Sequence, residues 1–221
     1  ANAKVIACVN HDETALDSHE ANHPDCLHLP EDVRDFKVVK RLKILIDKLC
    51  RENPGCIINI WASLECTNYS KAKGGLPRDA DSRTLAEALY MYIDLNPDFI
   101  YIENVREFMA WGPLDENGKP ISRKNGRDYI RWVNKMKSYG YDFDYKILNA
   151  ADFGAYQSRE RYFGQFAKKG LPMAWPEPTH VKILPKEVGL FESTKKKWRA
   201  VREVLDLEDE GISIFDRKFR L

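Results

Sequence analysis

The chain has no apolar run near the eighteen residues that a membrane-spanning helix needs, so no such span is expected. It has no excess of either charge. With 35 basic and 34 acidic residues the net charge is +1, so overall electrostatics name no partner and any nucleic-acid affinity must be local. Cysteine is sparse and odd in number. Cys8, Cys26, Cys50, Cys56 and Cys66 are scattered through apparent strands and helices, which argues against a disulfide framework and for free thiols in a reducing compartment. No internal repeat or low-complexity tract is present, which removes solenoids and filaments. What remains is 221 residues, 43% hydrophobic and 31% charged, enough for one large globular domain or two small ones.

Strand and helix signals alternate through the first two thirds. "KVIACV" (4–9) is a short apolar run ending at Asn10 and His11, and 12–22 is helix-like with Asp12 as N-cap. Val38, Leu42, Leu45, Ile46 and Leu49 share one helical face within 37–50. "CIINIWA" (56–62) predicts a buried strand, 82–95 a helix, and "DFIYIENV" (98–105) a third strand ending on a carboxylate and an amide. Residues 127–140 predict a helix stopped by Gly140. This rhythm predicts an α/β fold with a parallel sheet covered on both faces. "YDFDYKILNA" (141–150) and "RYFGQFA" (161–167) then predict an antiparallel pair at the sheet edge. From 171 onward an extended arm is expected, with one short helix near 198–206.

Ligands of open α/β sheets bind beyond the carboxyl ends of the strands. Asn10, Cys66 and Glu103 stand at or just past three such ends. Cys66 opens a polar stretch, "CTNYSKAKGGLPRDADSR", which is unusual because buried cysteines normally sit among apolar neighbours.

A thiol in "SLECTNYSKAKGG", a carboxylate in "ENVREF" and two guanidiniums in "QSRERYF" occur in that order. With "LNAADFGAYQSRER", "WPEPTH" and "VREVLDLEDEGISIFDRK", the chain resembles the DNA cytosine-5 methyltransferases over nearly its whole length. The resemblance implies a Rossmann-like, mostly parallel sheet of the class I S-adenosylmethionine-dependent methyltransferase type. Residues 1–170 would be the catalytic domain and 171–221 an arm leading towards a target-recognition region. It also implies that the glycine-rich donor turn and first strand precede this sequence.

By the same resemblance, Cys66 is the nucleophile that adds to carbon 6 of a flipped-out cytosine and Glu103 is the acid that activates the ring. Arg161 would contact the cytosine carbonyl and Arg159 would support the Cys66 loop. A free thiol has a pKa near 8.5, so nearby cations would raise its thiolate fraction. Asn10, His11, Asp32, Val33 and Leu85 would hold S-adenosylmethionine. Ser70, Lys71, Lys73, Arg78, Arg83 and Gln157 would meet double-stranded DNA. A cytoplasmic bacterial or phage restriction-modification setting, with a cognate restriction endonuclease as partner, fits so compact a scaffold. An RNA cytosine-5 methyltransferase would use the same chemistry, and a non-catalytic DNA-binding relic would keep the same scaffold.

Two positions depart from the family pattern. Glu65 replaces the proline before the nucleophile; a carboxylate about 7 Å from the thiol would oppose its ionisation by roughly 1–2 kcal/mol if it faced the same way. Asn10 replaces an acid that grips the donor ribose. His19, His23, Cys26 and His28 suggest zinc, but Pro24 interrupts the helix that would align the first pair, and no metal is expected. "KKKWR" (195–199) reads as a solvated charge run or a phosphate contact, with the Trp as a possible anchor of the arm.

Overall fold

The computed structural model describes residues 3–64, 81–113, 115–116, 121–122, 125–184, 195–206 and 208, with backbone alone at 81–84. The chain divides into two compact units, Ala1–Ile147 with Tyr162–Met173, and Leu148–Arg161 with Ala174–Leu221.

In the first unit β1 (Ala7–Val9) leads to α1 (Glu13–Asn22), then β2 (Leu27–Leu29) and α2 (Phe36–Glu52). β3 (Asn59–Ser63), α3 (Asp81–Tyr92), β4 (Phe99–Asn104) and α4 (Arg127–Ser138) follow. β5 (Tyr141–Asn149) and β6 (Glu160–Lys168) complete the larger sheet. Capping is as the sequence implies. The Asp12 carboxylate accepts from Ala15 N, the Asp35 carboxylate accepts from Lys37 N, and Gly140 takes a φ of +95° just past α4.

The strands form a parallel β1–β2 pair and a four-stranded sheet in the order β3-β4-β6-β5. β3 and β4 are parallel, whereas β6 enters antiparallel beside β4. The α/β class and mixed sheet match expectation. Two local expectations need correction. Among the described residues the parallel strands do not make one continuous sheet, because β1 and β3 do not pair. β3 also starts at Asn59 and is not covered on both faces: Ile60 and Ala62 turn inward while Trp61 is 63% exposed. A strand buried on one face alternates in this way.

The core lies on the inward face. Leu29, Val38, Val39, Leu42, Ile46, Ile100 and Ile102 pack with an aromatic group of Phe108, Trp111, Tyr129, Trp132, Tyr162 and Phe166. Phe108 meets Tyr129 and Trp132 edge-on, with ring centroids 5.7 and 5.5 Å apart. Apart from Trp111 Nε1, which is buried with no hydrogen-bond partner among the described residues, the polar tips are satisfied. Trp132 Nε1 donates to Ala86 O at 2.8 Å, Tyr141 OH donates to Pro97 O at 2.7 Å, and the Tyr129 and Tyr162 hydroxyls lie 3.1 Å apart.

The second unit is built on the turn after β5. Its arm forms a parallel pair, β7 (His180–Val181) with β8 (Lys196–Lys197), and only a three-residue 3-10 turn, Val201–Glu203, stands where a helix is expected.

Burial pushes Tyr90, Tyr92, Tyr129 and Tyr141 up to about 12 and raises Tyr162 as well. An unfolded tyrosine ionises near pH 10, so unfolding releases protons above that pH. The stabilisation from these neutral phenols is therefore full below pH 10 and falls as pH climbs towards 12. In an alkaline titration their tyrosinate absorbance should develop only together with loss of the near-ultraviolet dichroism. Ionisation of all ten tyrosines near pH 10 with the dichroism intact would contradict this packing.

Candidate active site

Parallel strands β3 and β4 run in register from Asn59 opposite Phe99 to Ser63 opposite Glu103. Their starts are joined through Asp98, whose carboxylate accepts from Ile58 N at 2.8 Å and pairs with Lys168 Nζ at 3.0 Å. Their ends are joined through Asn104. This side chain is 3% exposed, and its Nδ2 donates to Leu64 O at 3.2 Å. Its Oδ1 accepts from Val105 N at 2.9 Å, which turns the chain out of the strand. Alternation places Asn104 inward with Ile100 and Ile102, so Glu103 lies on the opposite face with Phe99 and Tyr101.

Leu64 is two residues before Cys66, so the chain sets out towards Cys66 from a point fixed to the strand end that carries Glu103. Cys66 itself lies outside the described residues, as do Ser70, Lys71, Lys73 and Arg78. Arg83 is in α3, but nothing is described of its side chain.

The second unit holds Gln157, Arg159 and Arg161. Asn149 organises their loop: its Oδ1 accepts from Ala151 N at 3.1 Å and Arg159 N at 3.0 Å, and its Nδ2 donates to Ser158 Oγ at 3.0 Å. Gln157 and Arg159 are exposed, while Arg161 is half-buried and donates to Glu160 O at 2.8 Å. The arm folds back on this loop. Trp198 Nε1 donates to Asp152 Oδ1 at 2.8 Å, Thr179 N donates to Asp152 O at 2.9 Å, and the Arg199 guanidinium lies 3.8 Å from the Tyr156 ring centroid. The Trp of "KKKWR" is thus an anchor, with Lys196 and Lys197 exposed beside it.

Of the residues expected to hold the donor, Asn10, His11, Asp32 and Val33 follow the side-by-side ends of β1 and β2. Asn10 N donates to Leu29 O at 3.2 Å, and the Asn10 side chain accepts from Asp12 N at 3.0 Å. His11 is exposed. Arg34 grips the Asp32 carboxylate, with Nε 2.9 and 3.0 Å from its two oxygens, and holds its pKa below the ordinary value. Tyr92 OH donates to Val33 O at 3.0 Å. Leu85 is half-buried seven residues before Tyr92, on the same side of α3. Through its bond to Tyr92, Val33 is tied to the C-terminal end of α3.

Three residues of consequence were not singled out as site residues from sequence. Asn104 sits inside the Glu-Asn-Val motif, and an amide at a strand end was its signal. Asn149 gave the same signal before "AADFG". Arg34 stands two residues after Asp32, a spacing that lets a guanidinium return to the carboxylate.

These parts define an α/β fold of the methyltransferase type. A solved structure described as a DNA modification methyltransferase encoded within a prophage (E. coli) superposes with a TM-score of 0.53 at 26% identity, over 77% of this chain and 42% of that one. Residues 1–212 match the C-5 cytosine-specific DNA methylase family, and the chain belongs to it. Among curated relatives, the type II methyltransferase M.AquIA of a Picosynechococcus species is 25% identical over 89% of this chain and 77% of its own length. M.XorII of Xanthomonas oryzae pv. oryzae is 26% identical over 79% of this chain, which spans only 38% of that relative. No helix among the described residues is long and apolar enough to cross a membrane.

Replacing Asn104 by Ala leaves the Leu64 carbonyl and the Val105 N–H without their partner. Urea unfolding should show a loss of about 1–3 kcal/mol, the cost of leaving buried polar groups unsatisfied. A variant as stable as the parent would show that the two strand ends are held by something else.

Proposed function

We propose that the chain forms the catalytic core of a DNA cytosine-5 methyltransferase that uses S-adenosylmethionine. The observation that supports it most is the Asn104 bond to Leu64 O, which fixes the approach to Cys66 beside the strand end bearing Glu103. Residues 1–170 would carry the chemistry, and the arm from 171 would lead to a region that reads the target sequence. Because M.AquIA and M.XorII are type II methyltransferases, a cognate restriction endonuclease and a bacterial or phage cytoplasm belong to the same reading.

The donor-side residues suit the donor's adenosine. Asp32, held ionised, is an acceptor for an exocyclic amino group once Arg34 lets go, and the half-buried Val33 and Leu85 offer apolar contact. S-adenosylmethionine, when bound, supplies the electrophilic methyl group. Asn10 presents a neutral amide to the ribose instead of a carboxylate, a weaker hydrogen-bond partner.

The Cys66 thiolate forms a bond to carbon 6 of an extruded cytosine, and the electron pair of the 5,6 double bond moves to carbon 5. Glu103, protonated, holds its proton at ring nitrogen 3 and so offsets the charge arriving in the ring. Arg161 binds the carbonyl oxygen, and Arg159 steadies the loop. After carbon 5 is alkylated, loss of its proton restores the double bond and expels Cys66 as thiolate. Ser70, Lys71, Lys73, Arg78, Arg83 and Gln157 hold the phosphate backbone around the vacated position.

A duplex carrying 5-fluorocytosine blocks the last step, since fluorine cannot leave as a proton. With donor present the full-length protein should form a covalent complex through Cys66, absent in Cys66→Ser. Absence of a complex on both DNA and tRNA would favour the non-catalytic relic, and a complex on tRNA alone would favour the RNA reading. Glu103→Gln should slow turnover by about 10²–10⁴-fold, the usual contribution of a positioned acid. Lys73→Ala should lower the slope of log affinity against log salt by about one.

A further inference from the structure

The two faces of the β1–β2 pair are packed differently. Ala7, Val9, Leu27 and Leu29 turn towards the main core. Strand alternation sends Cys8 and His28, which are register partners, to the other face, and Cys26 shares that direction two residues before His28. That face is covered by α1, a ten-residue helix whose one buried residue is Leu16. Leu16 and Cys26 are buried but stand outside the main hydrophobic cluster. A helix this polar has little apolar area with which to hold itself in place.

What fills the space beneath α1 is a group of metal-ligating side chains. Leu16, His19 and His23 fall on one side of the helix at the i, i+3, i+7 spacing. Pro24 does end the helix, yet it does not separate the ligands: Cys26 N donates to His23 O at 3.0 Å, closing a turn that returns the chain under His19. His19 Nδ1 and His28 Nε2 then lie 2.8 Å apart, and one nitrogen of each ring and the Cys26 sulfur all fall within 4.8 Å of one another. The His23 ring lies tilted at 35° against His19, with centroids 4.6 Å apart. Linear spacing argued against a metal because it could not show this reversal.

We propose that His19, Cys26 and His28 bind one zinc ion, with Cys8, outside that cluster but on the same face of the strand pair, closing in as the fourth ligand. In a tetrahedral zinc site the nitrogens stand about 3.3 Å apart and sulfur about 3.6 Å from nitrogen, as follows from bonds of about 2.0–2.1 and 2.3 Å. The two imidazoles must part slightly and the sulfur draw in, shifts within the reach of side-chain rotation. Binding replaces the hydrogen bond between the imidazoles, each of which keeps one N–H, and releases the thiol protons of Cys26 and Cys8. Cysteine thiolate and imidazole together favour zinc over magnesium or calcium, which take oxygen ligands. The ion ties α1 to both strands. It also braces the two sides of the donor region, since Asn10 and His11 follow Cys8 and Asp32 follows His28.

Cobalt(II) titrated into the reduced, full-length protein provides the test. One equivalent should produce thiolate-to-cobalt charge transfer and intense tetrahedral visible bands, which added zinc abolishes. Cys26→Ser and His28→Gln should each lose the signal, and Cys8→Ser should shift it from two-thiolate to one-thiolate intensity. Cys50→Ser should keep it unchanged; that thiol lies 3.0 Å from the Cys56 sulfur and is another site where cobalt could collect. No tetrahedral spectrum in the parent protein, or one that survives in the Cys26 and His28 variants, would overturn the proposal. The parent titration needs no variant to fold.

Discussion

The β3–β4 pair constrains everything else in the first unit. One strand leads towards Cys66 and the other carries Glu103 one residue before its end. Their relative position is set by a register of five residue pairs and by side-chain bonds at both ends. A one-residue slip would reverse every side chain and carry Glu103 to the inward face. The aromatic core holds that register indirectly. Trp132 on α4 reaches Ala86 in α3, and Tyr162 on β6 is the register partner of Asn104, so helices and sheet are fixed by the same buried rings. Stability and site geometry are consequently one problem here.

The strand ends were legible in sequence because short apolar runs stop on polar residues at Asn10 and Glu103. Helix limits were legible through Asp12 and Gly140, whose caps act locally. Pairing was not. Nothing in "RYFGQFA" says that it lies between β4 and β5, since that order is decided by contacts between residues some sixty positions apart. The apolar run "CIINIWA" suggested a strand covered on both faces, but exposure of Trp61 depends on neighbours that the run cannot specify. Asn104 and Asn149 read as motif letters until their hydrogen bonds were visible.

The arm shows a similar division. Its extended character follows from proline and lysine content, and Trp198 was a reasonable anchor. Its partner, Asp152, could not be named from sequence because forty-six residues separate them. The histidines around α1 are the sharpest case. A turn at Pro24 looked like a reason to discard a cluster, and the same turn is what assembles it.

The central claim is that the thiol two residues beyond Leu64 adds to carbon 6 of cytosine beside the Glu103 carboxyl. Release of tritium from carbon 5 of cytosine in duplex DNA measures that addition without methyl transfer, because the carbon-5 hydrogen exchanges only while the double bond is saturated. The account predicts release by the full-length protein, abolished in Cys66→Ser and strongly slowed in Glu103→Gln. Tritium release that persists at the parent rate in Cys66→Ser would contradict it.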